Sequence, residues 1–321
     1  MGVNLKKILR RIMFTVIFFA GLIVILLVSS YIFTPKSNKG GSVLKPSYET
    51  GLLGENKDTI DAVIIGDSEA YSAYSPMLMW KNNGITSYVC STAAQQLYWS
   101  DNFLHEAFEK QKPKVVILET NAIFRKMTYA DTSANRISNM FSIFRYHDRW
   151  KDMKLKSIGR KADYSWTDDN KGFRCSSSVN GVRPRKYMKY TDKTRPLPDI
   201  NRRYVSKMAE YCRKNGAELV LVSTPSSKNW NYQKHNAIER LAKEQKIKYV
   251  DLNLISDQLH IDWLSDTRDR GDHLNYTGAT KVSDFMGNYL AENFKLKDHR
   301  NDKAYSKWNS ALQRYLLSVQ K

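Results

Sequence analysis

The sequence predicts an α/β protein, a three-layer sandwich with a central parallel sheet, preceded by one transmembrane helix. Short apolar runs alternate with helical patterns between residues 59 and 298, which is typical of a parallel sheet covered by helices on both faces. The chain has 321 residues, enough to bury a substantial core. An uncharged and mostly apolar stretch over residues 12–34 precedes this domain.

The apolar stretch is long enough to cross a bilayer. No residue from Ile12 to Pro35 is charged, and about 20 apolar residues span the hydrocarbon core. Four basic residues stand just before it, within residues 6–11. The positive-inside rule therefore predicts a cytoplasmic tail over residues 1–11 and an extracellular main domain of a single-pass cell-membrane protein. A cleaved signal peptide is the alternative, but the stretch is long for one and no clear small-residue cleavage site follows.

The chain is strongly basic, with 51 Lys and Arg against 32 Asp and Glu and a net charge of +19. Such a charge attracts polyanions. An extracellular domain argues against nucleic acid and favours anionic surface polymers or lipid head groups. The cysteines Cys90, Cys175 and Cys212 are far apart and odd in number, which leaves room for one disulfide and predicts no disulfide framework. No His/Cys cluster has zinc spacing, and we expect neither a metal nor a cofactor.

Five apolar runs indicate strands. They lie at residues 61–68, 85–91, 114–120, 217–225 and 248–253. The segments between and after them have helical patterns, at residues 76–83, 95–111, 199–215, 232–246 and 275–294. The helix at 76–83 begins with Pro76 and is followed by Gly84, as helices prefer.

Three further segments complete the organisation. Residues 35–58 are rich in Gly, Pro, Ser and Lys and indicate a linker. Residues 122–200 break the strand–helix rhythm as an insertion with 18 Lys and Arg, 8 Asp and no Glu. The insertion is either a solvated cap or a basic lid over the site, and its aromatic residues could form a small core of their own. Residues 299–321 contain an amphipathic helix that packs on the domain or lies on the membrane surface.

The motif Gly66-Asp67-Ser68-Glu69 follows the first predicted strand directly. Ligands of open α/β sheets bind outside the carboxyl ends of the strands. A Ser in the turn there has backbone N–H groups near its hydroxyl, which can hold an oxyanion. Ser68 is therefore a candidate nucleophile. The alternative is an ordinary strand-to-helix turn in which Ser or Asp caps the helix.

A second motif lies far along the chain, at residues 266–279, reading DTRDRGDHLNYTGA. It contains His273, preceded by the acidic neighbours Asp269 and Asp272 and followed by a predicted helix. A serine nucleophile needs a base, and that base needs a carboxylate to fix its tautomer. The alternative is a polar loop in which Asp272 or Asn275 caps the helix.

Together these motifs resemble the SGNH/GDSL hydrolase superfamily over residues 60–295, excluding the insertion. The sequence is most similar to membrane-anchored, extracytoplasmic members associated with surface-polymer O-acylation, in the style of the D-alanyl-transfer protein of teichoic acid synthesis and the alginate acetylation proteins. The resemblance implies a flavodoxin-like sheet, Ser68 as nucleophile and His273 as base. The family places Asp three residues before its His, but that position is Arg270 here, so Asp269 or Asp272 would orient His273, with Asp269 preferred.

The resemblance also implies an oxyanion site. The family's third motif is Gly-x-Asn-Asp, and only its Asn matches, as Asn121. Asn121 and the Ser68 N–H would then hold the oxyanion, while Glu69, Arg145 and His147 are candidate substrate contacts. We expect a serine esterase or O-acyltransferase that moves an acetyl or D-alanyl group on an anionic cell-surface polymer, with a polytopic membrane O-acyltransferase as partner. The alternative is a non-catalytic polymer-binding or assembly protein on the same fold.

Overall fold

The computed structural model describes residues 5–39, 48–151, 153 and 158–319. At its centre lies a parallel sheet with the strand order β2-β1-β3-β4-β5. Its strands are β1 (Ala62–Gly66), β2 (Ser87–Ser91), β3 (Val115–Glu119), β4 (Glu218–Ser223) and β5 (Lys248–Asp251). The predicted fold class is thereby confirmed, and each strand falls inside the run that predicted it.

Ten α-helices lie within the described residues. They are α1 (Leu5–Phe33), α2 (Ser68–Ala73), α3 (Pro76–Asn83), α4 (Leu97–Lys110), α5 (Tyr129–Met140), α6 (Ile143–Tyr146), α7 (Asp199–Lys214), α8 (Tyr232–Gln245), α9 (Tyr276–Phe294) and α10 (Ser306–Val319). Helix α3 ends where the sequence predicts, because Gly84 adopts the left-handed conformation that closes it.

The sheet is buried on both faces. All five residues of β1 are buried, and neighbouring residues of that strand face opposite sides. Val63 and Ile65 therefore join one core cluster, with apolar residues of α4, α7 and α8. Ala62 and Ile64 join the other, with α2 and α9. These two cores explain why the strands are continuous apolar runs with no polar alternation.

The strand order changes direction between the neighbouring strands β1 and β3. β1 pairs with β2 on one side and with β3 on the other, so the connections leave these two strands in opposite directions. A crevice between the loops that follow such strands is the usual binding place of this architecture. The residues after Gly66 and after Glu119 meet at this point.

Helix α10 packs on the sheet domain. The rings of Trp308 and Trp80 lie 5.5 Å apart, and the Tyr315 hydroxyl lies 2.8 Å from the Ser75 hydroxyl. Trp308 and Tyr315 are both buried. The amphipathic pattern at the end of the chain therefore serves packing in this structure.

The chain divides into two compact units, residues 1–45 with 129–164, and residues 46–128 with 165–321. We call the first the anchor unit and the second the sheet unit. Helix α1 is 29 residues long and apolar enough to cross a membrane. The predicted insertion is split, because residues 129–164 belong to the anchor unit and the remainder to the sheet unit. Its aromatic residues do not share one core: Phe173 lies in the core of the sheet unit, whereas Phe144 and Trp150 are exposed.

Candidate active site

The turn after β1 places Ser68 at the first position of α2, with Asp67 as the capping residue. Asp67 Oδ1 accepts a hydrogen bond from the Glu69 backbone N–H at 3.1 Å. Asp67 therefore satisfies one of the donors that a helix start leaves open. The cap does not use the Ser68 hydroxyl, and Ser68 retains 8% of its accessible surface.

Asp67 is fully buried and its charge is compensated by neighbouring side chains. Arg125 donates to Asp67 Oδ2 from Nε at 2.8 Å and from Nη2 at 2.5 Å. The Asn121 amide donates to the same oxygen at 2.9 Å. These contacts join the turn after β1 to the segment after β3.

Asn121 is held on three sides. Its backbone N–H lies 3.0 Å from both carboxylate oxygens of Glu119, and its Oδ1 accepts from Lys234 Nζ at 3.1 Å. An Asn amide carries two hydrogens, and one of them points to Asp67. Asn121 thus lies beside the Ser68 turn, as an oxyanion donor would, and its role there stays a prediction.

His273 is held by Asp269, four residues earlier. The ring Nδ1 lies 2.6 Å from Asp269 Oδ2, and the His273 backbone N–H donates to Asp269 Oδ1 at 2.6 Å. Because the carboxylate accepts at Nδ1, the neutral ring carries its lone pair on Nε2. Nε2 is buried and has no hydrogen-bond partner among the described residues. The ring is thus anchored through Nδ1 while Nε2 has no partner among the described residues, and its role as a base stays a prediction.

Asp272 has other partners. Its Oδ1 is 3.6 Å from His273 Nδ1, beyond hydrogen-bond distance. Lys228 Nζ donates to Asp272 Oδ2 at 2.8 Å, and the Asn229 amide donates to Asp272 Oδ1. Of the two candidate carboxylates, Asp269 is the one that contacts the ring closely.

Asn229 connects the His273 loop to the Ser68 turn. Its amide nitrogen donates to Glu69 Oε1 at 2.8 Å and also to Asp272. Arg268 adds a second link, because its Nη2 donates to the Ser72 hydroxyl of α2 at 2.8 Å. Hydrogen bonds through Asn229 and Arg268 therefore link the two motifs, which lie about 200 residues apart in sequence.

The site contains two buried carboxylates whose pKa values are raised. Burial, followed by the nearby charge of Asp67, raises the pKa of Glu69 well above its ordinary value. The same two causes raise the pKa of Glu119. Burial lowers the pKa of Lys234, whose Nζ also lies 4.8 Å from the ring centroid of Phe124. Strongly shifted groups of this kind cluster at functional sites.

Ligand atoms of Glu69, Asp272 and His273 lie within 4.8 Å of one another, close enough to surround a metal ion. The Asn229 amide already bridges Glu69 and Asp272. An amide N–H is a donor and cannot ligate a cation. The two carboxylates are therefore bridged by a hydrogen-bond donor.

Two predicted substrate contacts belong to the anchor unit. Arg145 Nη2 donates to Asn139 Oδ1 at 2.6 Å. The His147 side chain is 65% exposed and lies 3.8 Å from Asp148. Glu69, the third predicted contact, is buried within the site. Substrate binding by Arg145 and His147 stays a prediction.

Sequence reasoning missed four site residues: Glu119, Arg125, Asn229 and Lys234. An acidic residue ending the apolar run VVILE is a signal that could have identified Glu119, because a buried carboxylate needs partners. Asn229 and Lys234 lie on the loop after β4 and on α8, where no motif or spacing marks them. They are recognisable only once the sheet brings the loops together.

No protein-family model matches the chain, and no curated protein matches it. Solved structures do: an acetyl xylan esterase is 16% identical over 71% of this chain and 99% of its own, with a TM-score of 0.38. A GDSL-like lipase from Bacteroides thetaiotaomicron is 14% identical over 73% and 87%, with a TM-score of 0.35. The lipase/acylhydrolase from Enterococcus faecalis is 10% identical over 74% and 98%, with a TM-score of 0.35. All three TM-scores are below 0.5, so this likeness carries no argument about function, which is inferred from the chain's own residues.

Proposed function

We propose that this protein is a membrane-anchored serine esterase or O-acyltransferase of SGNH type, with Ser68 as nucleophile, His273 as base and Asp269 as the carboxylate that orients it. One observation carries the proposal. His273 is fixed through Nδ1 by Asp269, and its buried Nε2 is uncommitted, in a loop joined by Asn229 to the residue after Ser68. A serine nucleophile requires a base with one nitrogen anchored and the other able to take the hydroxyl proton. Within the described residues His273 Nε2 is not hydrogen-bonded to Ser68 Oγ, so that contact is part of the proposal.

The reaction follows from these roles. Ser68 Oγ attacks the ester carbonyl while His273 Nε2 takes the hydroxyl proton. The tetrahedral intermediate collapses, the C–O bond to the leaving alcohol breaks, and His273 returns the proton to that alcohol. Water or a polymer hydroxyl then attacks the acyl-serine by the same steps in reverse. Hydrolysis and transfer differ only in which acceptor arrives.

The oxyanion needs donors near Ser68. The Ser68 backbone N–H occupies the first helical position, where it has no acceptor within the helix. The second amide hydrogen of Asn121 supplies the other donor. Arg125 and Lys234 stand close to Asp67 and Glu119, so they offset the negative charge that would otherwise oppose an oxyanion.

We further propose that α1 is a retained anchor, with the N-terminus cytoplasmic and the sheet unit extracellular. The Thr34 hydroxyl lies 2.6 Å from the Ser142 hydroxyl, and the Ile143 N–H donates to the Ser30 hydroxyl at 3.2 Å. These hydrogen bonds to the folded part of the anchor unit favour a retained helix over a cleaved one. The net charge of +19 favours an anionic surface polymer of teichoic acid type as substrate, delivered with a polytopic O-acyltransferase.

A fluorophosphonate probe tests the nucleophile. The full chain in detergent is treated with the probe, and the labelled residue is located by mass spectrometry. We expect label on Ser68 that is lost in Ser68→Ala and in His273→Ala. Ser87→Ala is the matched control, because Ser87 is also buried but stands at the opposite end of its strand.

The outcomes separate the two function classes. Label on Ser68 that depends on His273 supports the esterase or transferase. A folded wild-type chain that takes no label overturns the enzyme proposal. It would favour the non-catalytic polymer-binding or assembly protein, for which the commitment of the Asn121 amide to Asp67 is the supporting observation.

A further inference from the structure

Helix α5, in the anchor unit, buries polar residues and exposes apolar ones. Its buried residues are Thr132 and Asn135. Tyr129, Ile137 and Met140 are 62%, 50% and 69% exposed. A surface helix in water shows the reverse arrangement, with its apolar stripe turned inward. This inversion indicates that the outer side of α5 faces something other than water.

The exposed apolar surface continues beyond α5. Phe144 of α6 is 48% exposed and Trp150 is 64% exposed. We call these five residues, Tyr129, Ile137, Met140, Phe144 and Trp150, the apolar rim. Several exposed large apolar residues within one short segment are a mark of an interaction surface, and the aromatic members are typical of membrane–water interfaces.

The segment that carries the rim is fixed at the end of α1. The Ser142 hydroxyl donates to the Ser30 carbonyl at 3.3 Å, and Arg149 donates to the Phe33 carbonyl. The apolar sequence of α1 ends at Phe33, which is where a spanning helix leaves the hydrocarbon. The rim therefore belongs to a segment held at the depth where lipid tails give way to head groups.

The charge of the segment matches anionic head groups. Residues 129–164 contain eight Lys and Arg against four Asp and no Glu. Arg136, Lys151, Arg160 and Lys161 are exposed. Apolar and aromatic side chains together with exposed basic ones are the composition of helices that lie in a bilayer interface.

We propose that residues 129–151 lie on the bilayer surface where α1 emerges, with the apolar rim inserted between phospholipid head groups and acyl chains. The occupant of the rim is lipid. The anchor unit then contacts the membrane both through α1 and through this interfacial segment. The proposal does not depend on the activity of Ser68.

Tryptophan quenching tests the proposal in the full chain. The protein is reconstituted in nanodiscs whose phospholipids carry bromine on the acyl chains near the head groups, with anionic lipid included. Helix α1 contains no Trp, so the signal comes only from outside the span. We expect bromolipid to quench part of the wild-type emission, and Trp150→Phe to lose most of that quenching. Trp263→Phe, in the sheet unit, is the matched control and should retain it.

A gain-of-signal variant separates the rim from one side chain. Introducing Met140→Trp into the Trp150→Phe chain should restore quenching, because Met140 is the most exposed member of the rim. Equal quenching in wild type and Trp150→Phe would overturn the proposal. Absence of quenching in all variants would also overturn it, and would point to a protein partner covering the rim.

Discussion

Replacing Asp269 with Asn tests the assignment of the orienting carboxylate. Asp269 makes two contacts of 2.6 Å with His273, one to Nδ1 and one to the backbone N–H. Asn keeps the shape but removes the charge, and its NH₂ group can turn toward Nδ1 and favour the wrong tautomer. The expected consequence is slower deprotonation of Ser68 with little change in fold.

The size of the effect follows from the contact. A hydrogen bond to a charged group contributes about 1.5–3 kcal/mol. The Asp269 side chain is 38% exposed, so solvent screening favours the lower half of this range. About 1.4 kcal/mol corresponds to a tenfold change in rate, so the lower half of this range gives a loss of about 10- to 40-fold for Asp269→Asn.

The assay is the second-order rate of fluorophosphonate labelling at Ser68. Asp272→Asn is the matched control, because Asp272 lies 3.6 Å from the ring and is bound by Lys228. We expect it to slow labelling less than Asp269→Asn does. The reasoning is refuted if Asp272→Asn is the more damaging change, or if Asp269→Asn labels at the wild-type rate.

Three further predictions concern stability and accessibility. Since the pKa of Glu69 is raised in the folded state above its ordinary 4.5, the folded chain binds more protons there, and stability should fall as pH rises above about 4.5. The Gln side chain of Glu69→Gln carries no charge at either pH. The melting temperature of this variant minus that of wild type should therefore be larger at pH 8 than at pH 5, and a difference that does not change with pH would contradict this. Gly66→Ala should lower the free energy of unfolding by about 1–3 kcal/mol, because a Cβ at Gly66 would lie 2.5 Å from the Glu119 Cβ; an unchanged urea midpoint in detergent would contradict it. A thiol reagent should modify only Cys175 in the native chain and all three cysteines in denaturant, because Cys90 and Cys212 are buried. Rapid modification of two cysteines in the native chain would contradict this packing.

The sheet could be read from the sequence because its signal is local. Each strand is a short apolar run bounded by polar or turn residues, and helix ends such as Pro76 and Gly84 follow from backbone chemistry at single positions. The alternation of strands and helices then limits the topology to a few parallel arrangements. The observed boundaries of these elements differ from the predicted ones by only a few residues, because helix and strand ends fray into their caps.

The site could be predicted only in part. Ser68 and His273 are marked by motifs, so sequence reasoning finds them. A histidine beside a carboxylate is not by itself distinctive: His235 Nδ1 also lies 2.9 Å from Asp251 Oδ2, but the Trp230 indole and the Tyr249 hydroxyl donate to that same oxygen. Only the three-dimensional neighbours show that Asp251 Oδ2 is shared by three side chains, whereas Asp269 Oδ2 is hydrogen-bonded to the His273 ring.

The insertion at residues 122–200 could be located in the sequence, but its packing could not be predicted. Charge and aromatic content distinguish residues 122–200 from the strand–helix pattern, but they do not say which parts of this segment belong together. Phe173 packs into the core of the sheet unit, whereas residues 129–164 group with α1. Assignments of this kind depend on contacts between residues more than a hundred positions apart, for which a single sequence carries no periodic signal.

The open nitrogen of His273 also has a thermodynamic meaning. His273 Nε2 and Glu69 Oε2 are both buried without a hydrogen-bond partner among the described residues, and each such group lowers stability by about 1–3 kcal/mol. A molecule that satisfies both groups would bind the folded chain alone and raise its melting temperature in proportion to the logarithm of its concentration. Ligands of the chain can therefore be identified by the rise in melting temperature that they cause, with a panel of acylated sugars and polyol phosphates, before any turnover is measured.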